Sequence, residues 1–309
     1  MTTTPYLSRR HLLLAAAATP LASALPFSAR ADAPMMGASL APYRRFKLGA
    51  FEVTTLLAGT RTVPDPHKIF GLNASDEEFA AASKANFIPT DAAQFFFTPT
   101  LINTGSEVIL FDTGLSPAGT IAAIEAAGYT ADQIDRVVIT HMHGDHIGGI
   151  YEGAPTFANA SYSTGEVEMD HWDMSGNDGF EAKIRPIQDQ FDLMKEGSAV
   201  ASGITAMEAF GHTPGHLAFH VESEGERLIL GADFANHYVY SLAHPDWEVL
   251  YDTDKSMAAQ TRRNMLDMMA TDRVPFIGYH MPFPALGYVA ARDGGFDYVP
   301  ASYQTMIEG

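Results

Sequence analysis

The segment His141-Met142-His143-Gly144-Asp145-His146 places three imidazoles and a carboxylate within six residues. These side chains supply the nitrogen and oxygen donors that Zn²⁺ and similar divalent ions prefer. The run before them, Val137-Val138-Ile139, is β-branched throughout and reads as a buried parallel strand. The histidines then stand at the strand's carboxyl end, where open α/β sheets bind ligands. Gly144, Gly148 and Gly149 let the backbone turn tightly there, so that His141 and His143 face one ion while Asp145 and His146 face a second.

The hexapeptide resembles the metal-binding signature of the metallo-β-lactamase superfamily, His-x-His-x-Asp-His, and further motifs follow in that family's order. Gly211-His212-Thr213-Pro214-Gly215-His216 resembles the loop that supplies another histidine. Gly231-Ala232-Asp233, after the apolar Leu228-Ile229-Leu230, resembles the turn carrying a metal-bridging aspartate, and Ile277-Gly278-Tyr279-His280 the strand end that brings the last histidine. Within the superfamily, residues 46–300 are most similar to the methyl parathion hydrolase group and its lactonase relatives. The stretch from Tyr43 to Val53 and the terminal Leu286-Gly287-Tyr288-Val289 with Tyr298-Val299-Pro300 carry that narrower likeness.

The resemblance implies two divalent metal ions per chain, zinc first, with manganese, iron or cobalt as alternatives. One ion falls to His141, His143 and His216, the other to Asp145, His146 and His280, and Asp233 bridges them. A hydroxide shared between the ions would be the nucleophile, and Asp145 and Asp233 are the expected catalytic carboxylates. Asp112 is expected to support a metal-binding histidine from behind. His212 is given a similar supporting role, because Pro214 breaks any helix between it and His216 and the spacing does not imply shared ligation. Phe96, Trp172 and Phe180 are expected to line the substrate pocket. For Phe96 the alternative is a strand buried on both faces, and for Trp172 it is helix packing.

The implied fold is α/β: an αββα sandwich of two mixed sheets with helices on the outer faces, forming one domain over 46–309. Residues 32–45 read as an extended arm, which in relatives helps to build a homodimer. Ser8-Arg9-Arg10-His11-Leu12-Leu13-Leu14 and the alanines after it resemble a twin-arginine export signal over 1–31, ending at Ala29-Arg30-Ala31. The expected address is therefore periplasmic or secreted, with no stable membrane association.

Composition narrows the function further. An apolar fraction of 46% suits a packed globular domain. The absence of cysteine removes disulfides and thiolate ligands, so any site is built from His, Asp and Glu. A net charge of −18 repels polyanions and argues against a nucleic-acid substrate. No arginine clamp is evident, which points to small neutral esters, either organophosphate triesters or lactones. Against the lactones, many acyl-homoserine lactonases place a tyrosine three residues after the bridging aspartate, where this chain has Asn236; Tyr238 is the nearest substitute. The competing readings are a β-lactamase or a thioesterase of the same fold, and a metal-binding protein without turnover.

Overall fold

The computed structural model describes residues 34–307; the expected export signal lies outside them. Residues 34–41 of the expected arm are irregular and exposed, and the first strand begins at Tyr43, so the last residues assigned to the arm belong to the sheet.

Two mixed seven-stranded sheets organise the chain from Leu40 onwards. The first contains β1 (Tyr43–Leu48), β2 (Phe51–Leu56), β5 (Thr100–Asn103), β6 (Val108–Phe111), β7 (Arg136–Ile139), β8 (Ser161–Gly165) and β9 (Phe191–Met194), in that spatial order. Its first four strands pair antiparallel, whereas β6 to β9 run parallel. The second runs in chain order through β10 (Ala199–Ala201), β11 (Ile204–Glu208), β12 (Leu217–Ser223), β13 (Glu226–Ala232), β14 (Phe276–Gly278), β15 (Leu286–Arg292) and β16 (Gly295–Pro300). Only β13 and β14 are parallel there.

Strand alternation decides which face each residue serves. Val138 packs between the sheets with Phe219 and Leu230, while its neighbours Val137 and Ile139 pack on the other face with Ile124 of α2 (Pro117–Ala126). An apolar run buried on both sides requires cover on both, and helices supply it outside each sheet. The expected sandwich is the observed one.

One element was not expected. β3 (Gly59–Pro64) and β4 (Ala92–Phe97) pair as a separate antiparallel ribbon, with Arg61 opposite Phe95 and Gly59 opposite Phe97. Between them lies α1 (Asp76–Ala85), whose start at Ser75 is closed by a reciprocal capping box with Glu78. Phe79 of this helix packs with Phe70, Phe95, Phe97 and Tyr240 in a third apolar cluster.

Candidate metal centre

Strands β6 and β7 run parallel, as do β13 and β14, and the turns at their carboxyl ends converge on one edge of the sandwich. After β6, Asp112 adopts a left-handed φ of 61°. After β7 come Thr140, His141 and His143, then the short helix α3 (Gly144–Ile147) carrying Asp145 and His146. β13 ends at Ala232, with φ 47°, and delivers Asp233; β14 is followed by Tyr279 and His280.

The glycines act differently from expectation. Gly144, Gly148 and Gly149 all have negative φ, so none is needed for a left-handed turn. At Gly148 and Gly149 the requirement is close approach, since a Cβ would lie 2.3 Å from the Leu115 carbonyl oxygen and 2.0 Å from that of Thr113.

The imidazole nitrogens form two groups around one carboxylate oxygen. His141 Nε2 lies 3.1 Å from His143 Nδ1, and His212 Nε2 lies 3.0 Å from the same Nδ1. On the other side His280 Nε2 is 3.3 Å from Asp145 Oδ2, and His146 Nε2 is 3.8 Å from it. Asp233 Oδ2 sits between the groups, 3.4 Å from His212 Nε2, 3.9 Å from His141 Nε2, 3.5 Å from His146 Nε2 and 3.2 Å from His280 Nε2. Buried groups without partners are expensive, yet His146 Nε2 and Asp233 Oδ1 are buried with none among the described residues. Ring nitrogens converging from both sides on a carboxylate whose Oδ1 is left unpaired suit divalent cations, and the nitrogen and oxygen donor set fits zinc.

Here the expectation for the Gly211–His216 loop is corrected. His212, not His216, reaches the cluster. His216 Nε2 accepts the backbone N–H of Asp233 at 3.0 Å, which removes its lone pair from the centre, and its Nδ1 has no hydrogen-bond partner among the described residues. His216 instead fixes the backbone of the aspartate that the cluster shares.

Carboxylates and carbonyls behind the ring orient each imidazole. Asp112 accepts from His146 Nδ1 at 2.8 Å and from Thr140 Oγ1 at 2.9 Å, and Thr140 Oγ1 in turn receives His141 Nδ1 at 3.1 Å. The expected support from Asp112 therefore reaches two histidines. His280 Nδ1 donates to the Phe96 carbonyl at 2.8 Å, and His212 Nδ1 to Asp252 at 2.8 Å.

Glu168, on α4 (Glu166–Asp173), went unremarked in the sequence. It is fully buried and accepts four hydrogen bonds: Met142 N and Trp172 Nε1 on one oxygen, Thr213 Oγ1 and Gly215 N on the other. It thereby clamps the loops bearing His141–His143 and His212. Gly215 is obligatory beside it, because a Cβ there would fall 2.0 Å from Glu168 N.

Electrostatics sort the ring into two states. Burial, then the neighbouring imidazoles, pushes His141 well below its ordinary value and His143 down to about 3. For His146 and His280 burial works against the charge, but Asp233 with Asp112 or Asp145 outweighs it; His146 is raised well above its usual range and His280 to about 10. Burial likewise opposes ionisation of Asp233 and Asp145, yet His280 and His146 hold Asp233 well below the carboxylate range and Asp145 at about 2. In the metal-free ring, protons on His146 and His280 thus balance the two carboxylates.

A cavity of about 400 Å³ opens onto the cluster at His143, Asp145, His212, Asp233 and His280. Its walls are Arg61, Val63, Phe95, Phe97, Leu115 and Tyr251. All three expected pocket aromatics are corrected. The β3–β4 ribbon turns Phe95 and Phe97 towards the cavity, each edge-on to His280, whereas Phe96 stands between them on the opposite face and contributes only its carbonyl. Trp172 is buried behind His143, its ring centroid 5.7 Å from the imidazole, with its Nε1 spent on Glu168. Phe180 is wholly buried in the core beneath the Arg185 guanidinium. Arg61 also places a cation on a wall expected to have none. Tyr238 packs against Tyr298 and does not line the cavity, and Asn236 donates to Asp233 Oδ2 at 3.0 Å.

The family model for the metallo-beta-lactamase superfamily matches residues 98–275, more than half of the chain. Among curated proteins, the uncharacterized protein YobT of Bacillus subtilis is 27% identical over 144 residues, 43% of this chain and 60% of its own. Hydroxyacylglutathione hydrolase of Bdellovibrio bacteriovorus is 34% identical over 86 residues, 27% of this chain and 28% of its own. The chain matches less than two thirds of the length of these relatives. Among solved structures, AidC, described as a dizinc quorum-quenching lactonase in complex with a product, superposes with a TM-score of 0.80 at 25% identity, covering 86% of this chain and 100% of that one. The hydrolase AbOPH gives the same score and coverage at 23% identity.

Proposed function

We propose that this chain, which belongs to the metallo-β-lactamase superfamily, is a dinuclear metal hydrolase of small neutral esters, with lactones as its leading substrate class. The observation that carries the reading is Asp233 Oδ2, within 3.9 Å of imidazole nitrogens from both groups. One ion is assigned to His141, His143 and His212, the other to Asp145, His146 and His280, with Asp233 shared. Two divalent ions held there would polarise a carbonyl or phosphoryl oxygen and lower the pKa of water towards neutrality.

The chain's own residues supply the rest. Phe95, Phe97, Val63 and Leu115 form an apolar wall against which an acyl or aryl group is buried. Asp145 stands on the cavity wall, where its carboxylate could receive a proton and pass it to the leaving oxygen. Arg61 and Tyr251 are the polar groups on the wall that can meet the substrate's acceptor oxygens. Asn236, where many lactonases carry tyrosine, steadies Asp233 instead. The lactone class is favoured by the likeness to AidC, whose description names a lactonase. The arginines at Arg9 and Arg10 within an apolar-flanked leader support export through the twin-arginine route.

Metal analysis paired with initial rates on a long-chain acyl-homoserine lactone, methyl paraoxon and nitrocefin tests the reading. About two ions per chain with lactone turnover is the expected result. Triester turnover alone would move the substrate class, and one ion or none, or turnover of nitrocefin alone, would overturn the proposal.

A further inference from the structure

Helix α6 (Lys255–Asp272) carries Arg262, whose side chain is completely buried. Its Nε donates to the Phe234 carbonyl at 3.0 Å, and its Nη1 to the carbonyls of Pro245 at 2.9 Å and Trp247 at 3.3 Å. Its Nη2 donates to Asp252 Oδ2 at 2.8 Å, and the other oxygen of Asp252 receives His212 Nδ1 at 2.8 Å. Burying an ion pair costs desolvation that its own attraction often fails to repay, so such a pair is weak evidence of a stability device. Its geometry, by contrast, is suited to holding atoms in place, because the planar guanidinium offers donors in a rigid fork.

We propose that Asp252, braced by Arg262, is a positioning residue for His212, and that it sets the metal affinity of one subsite without governing the other. The inference rests on the metal assignment of the preceding section. Asp252 holds the His212 proton on Nδ1, which leaves the Nε2 lone pair aimed at the cluster, 3.0 Å from His143 Nδ1 and 3.4 Å from Asp233 Oδ2. Arg262 holds Asp252 and also the carbonyl of Phe234, the residue after Asp233, so a single guanidinium locates both the histidine ligand and the backbone beside the shared carboxylate. The neighbour of Asp252 is Tyr251, on the cavity wall, so the same strut sets that wall.

The opposite subsite is referenced elsewhere. His146 is oriented by Asp112 and His280 by the Phe96 carbonyl, and neither contacts the strut. Disturbing Asp252 therefore weakens the subsite of His141, His143 and His212 and spares that of Asp145, His146 and His280.

The test compares wild type with Asp252→Asn and Arg262→Gln by zinc stoichiometry under chelator competition and by the absorption spectrum of the cobalt-loaded protein. Asp252→Asn is near-isosteric and leaves the guanidinium its three carbonyl acceptors, so it is the primary variant; Arg262→Gln strands the buried Asp252 carboxylate and can fail to fold. Wild type should hold two ions. Asp252→Asn should hold one with unchanged affinity and bind the other about 10–100-fold more weakly, with the cobalt bands of a single subsite altered, far-UV circular dichroism unchanged, and excess zinc restoring occupancy. Should Asp252→Asn not fold, the ring-nitrogen resonances of zinc-loaded wild type decide: a proton on His212 Nδ1 supports the proposal, and one on Nε2 overturns it. Equal weakening of both ions, or of neither, would also overturn it. A wild type that binds no metal would instead remove the assignment on which the inference stands.

Discussion

The Nε2 of His216 accepts the backbone N–H of Asp233 at 3.0 Å, while His212, four residues earlier on the same loop, points its Nε2 at the carboxylate of that aspartate. The two histidines therefore separate by experiment. His212→Ala should lose one of two zinc ions and nearly all turnover. His216→Ala should keep both ions near neutral pH and instead lower thermal stability, with a cost of about 1–3 kcal/mol for the donor left unpaired. Metal analysis and thermal melts on both variants check this; metal loss confined to His216→Ala would reverse the assignment.

Asp233→Ala removes the oxygen that both groups of histidines face. Metal content and turnover should collapse while the far-UV spectrum stays native, because Asp233 lies in a turn after β13 and not in the apolar core. Retained turnover would refute a shared carboxylate.

Metal loading should release protons. His280 is held at about 10, so it is charged in the metal-free protein at pH 8 and must become neutral to bind an ion, and His146, raised above its usual range, must likewise give up its proton. Apparent zinc affinity should rise with pH towards about 10. Because the folded pKa of His280 lies above its ordinary 6.5, its contribution to metal-free stability is complete below pH 6.5 and fades as pH rises through about 10. An indicator titration during zinc addition, and melts of chelated protein across that range, measure both; loading without proton release would contradict the charge balance derived above.

Phe95→Ala and Phe97→Ala should raise KM for long-chain lactones by removing the cavity wall. Phe180→Ala should leave the KM of the folded protein near wild type but cost about 3–5 kcal/mol, since it empties a core position. Phe95 and Phe97 also belong to a buried apolar cluster and cost stability too, so the KM effect in steady-state kinetics is what tells the two groups apart. A KM effect limited to Phe180→Ala would restore the pocket read from sequence.

Glu168→Ala leaves four donors on two metal-bearing loops without an acceptor. Folding stability should fall by at least about 3 kcal/mol, and zinc affinity should fall with it. Denaturation in the presence and absence of zinc would show the coupling as a larger loss in the loaded protein.

The sandwich, and the nearness of most of the clustered histidines and aspartates, were legible because their causes are local. Val137, Val138 and Ile139 are buried on both faces whatever covers them, and His141, His143, Asp145 and His146 follow within one turn of the chain, so strand and motif declare each other. Ser75 and Glu78 close a helix start by contacts three residues apart.

What the chain order could not decide was the direction of individual rings. His212 and His216 each follow a glycine on the same loop, and their roles are parted by Asp252, forty residues downstream of His212, and by the Asp233 N–H. Phe95, Phe96 and Phe97 are chemically alike, and only pairing with Gly59–Pro64 settles which two face the cavity. A motif states which donors are available, because bonded spacing limits where they can be. The aim of each imidazole is set by whichever group occupies its second nitrogen, and that group arrives from another part of the fold.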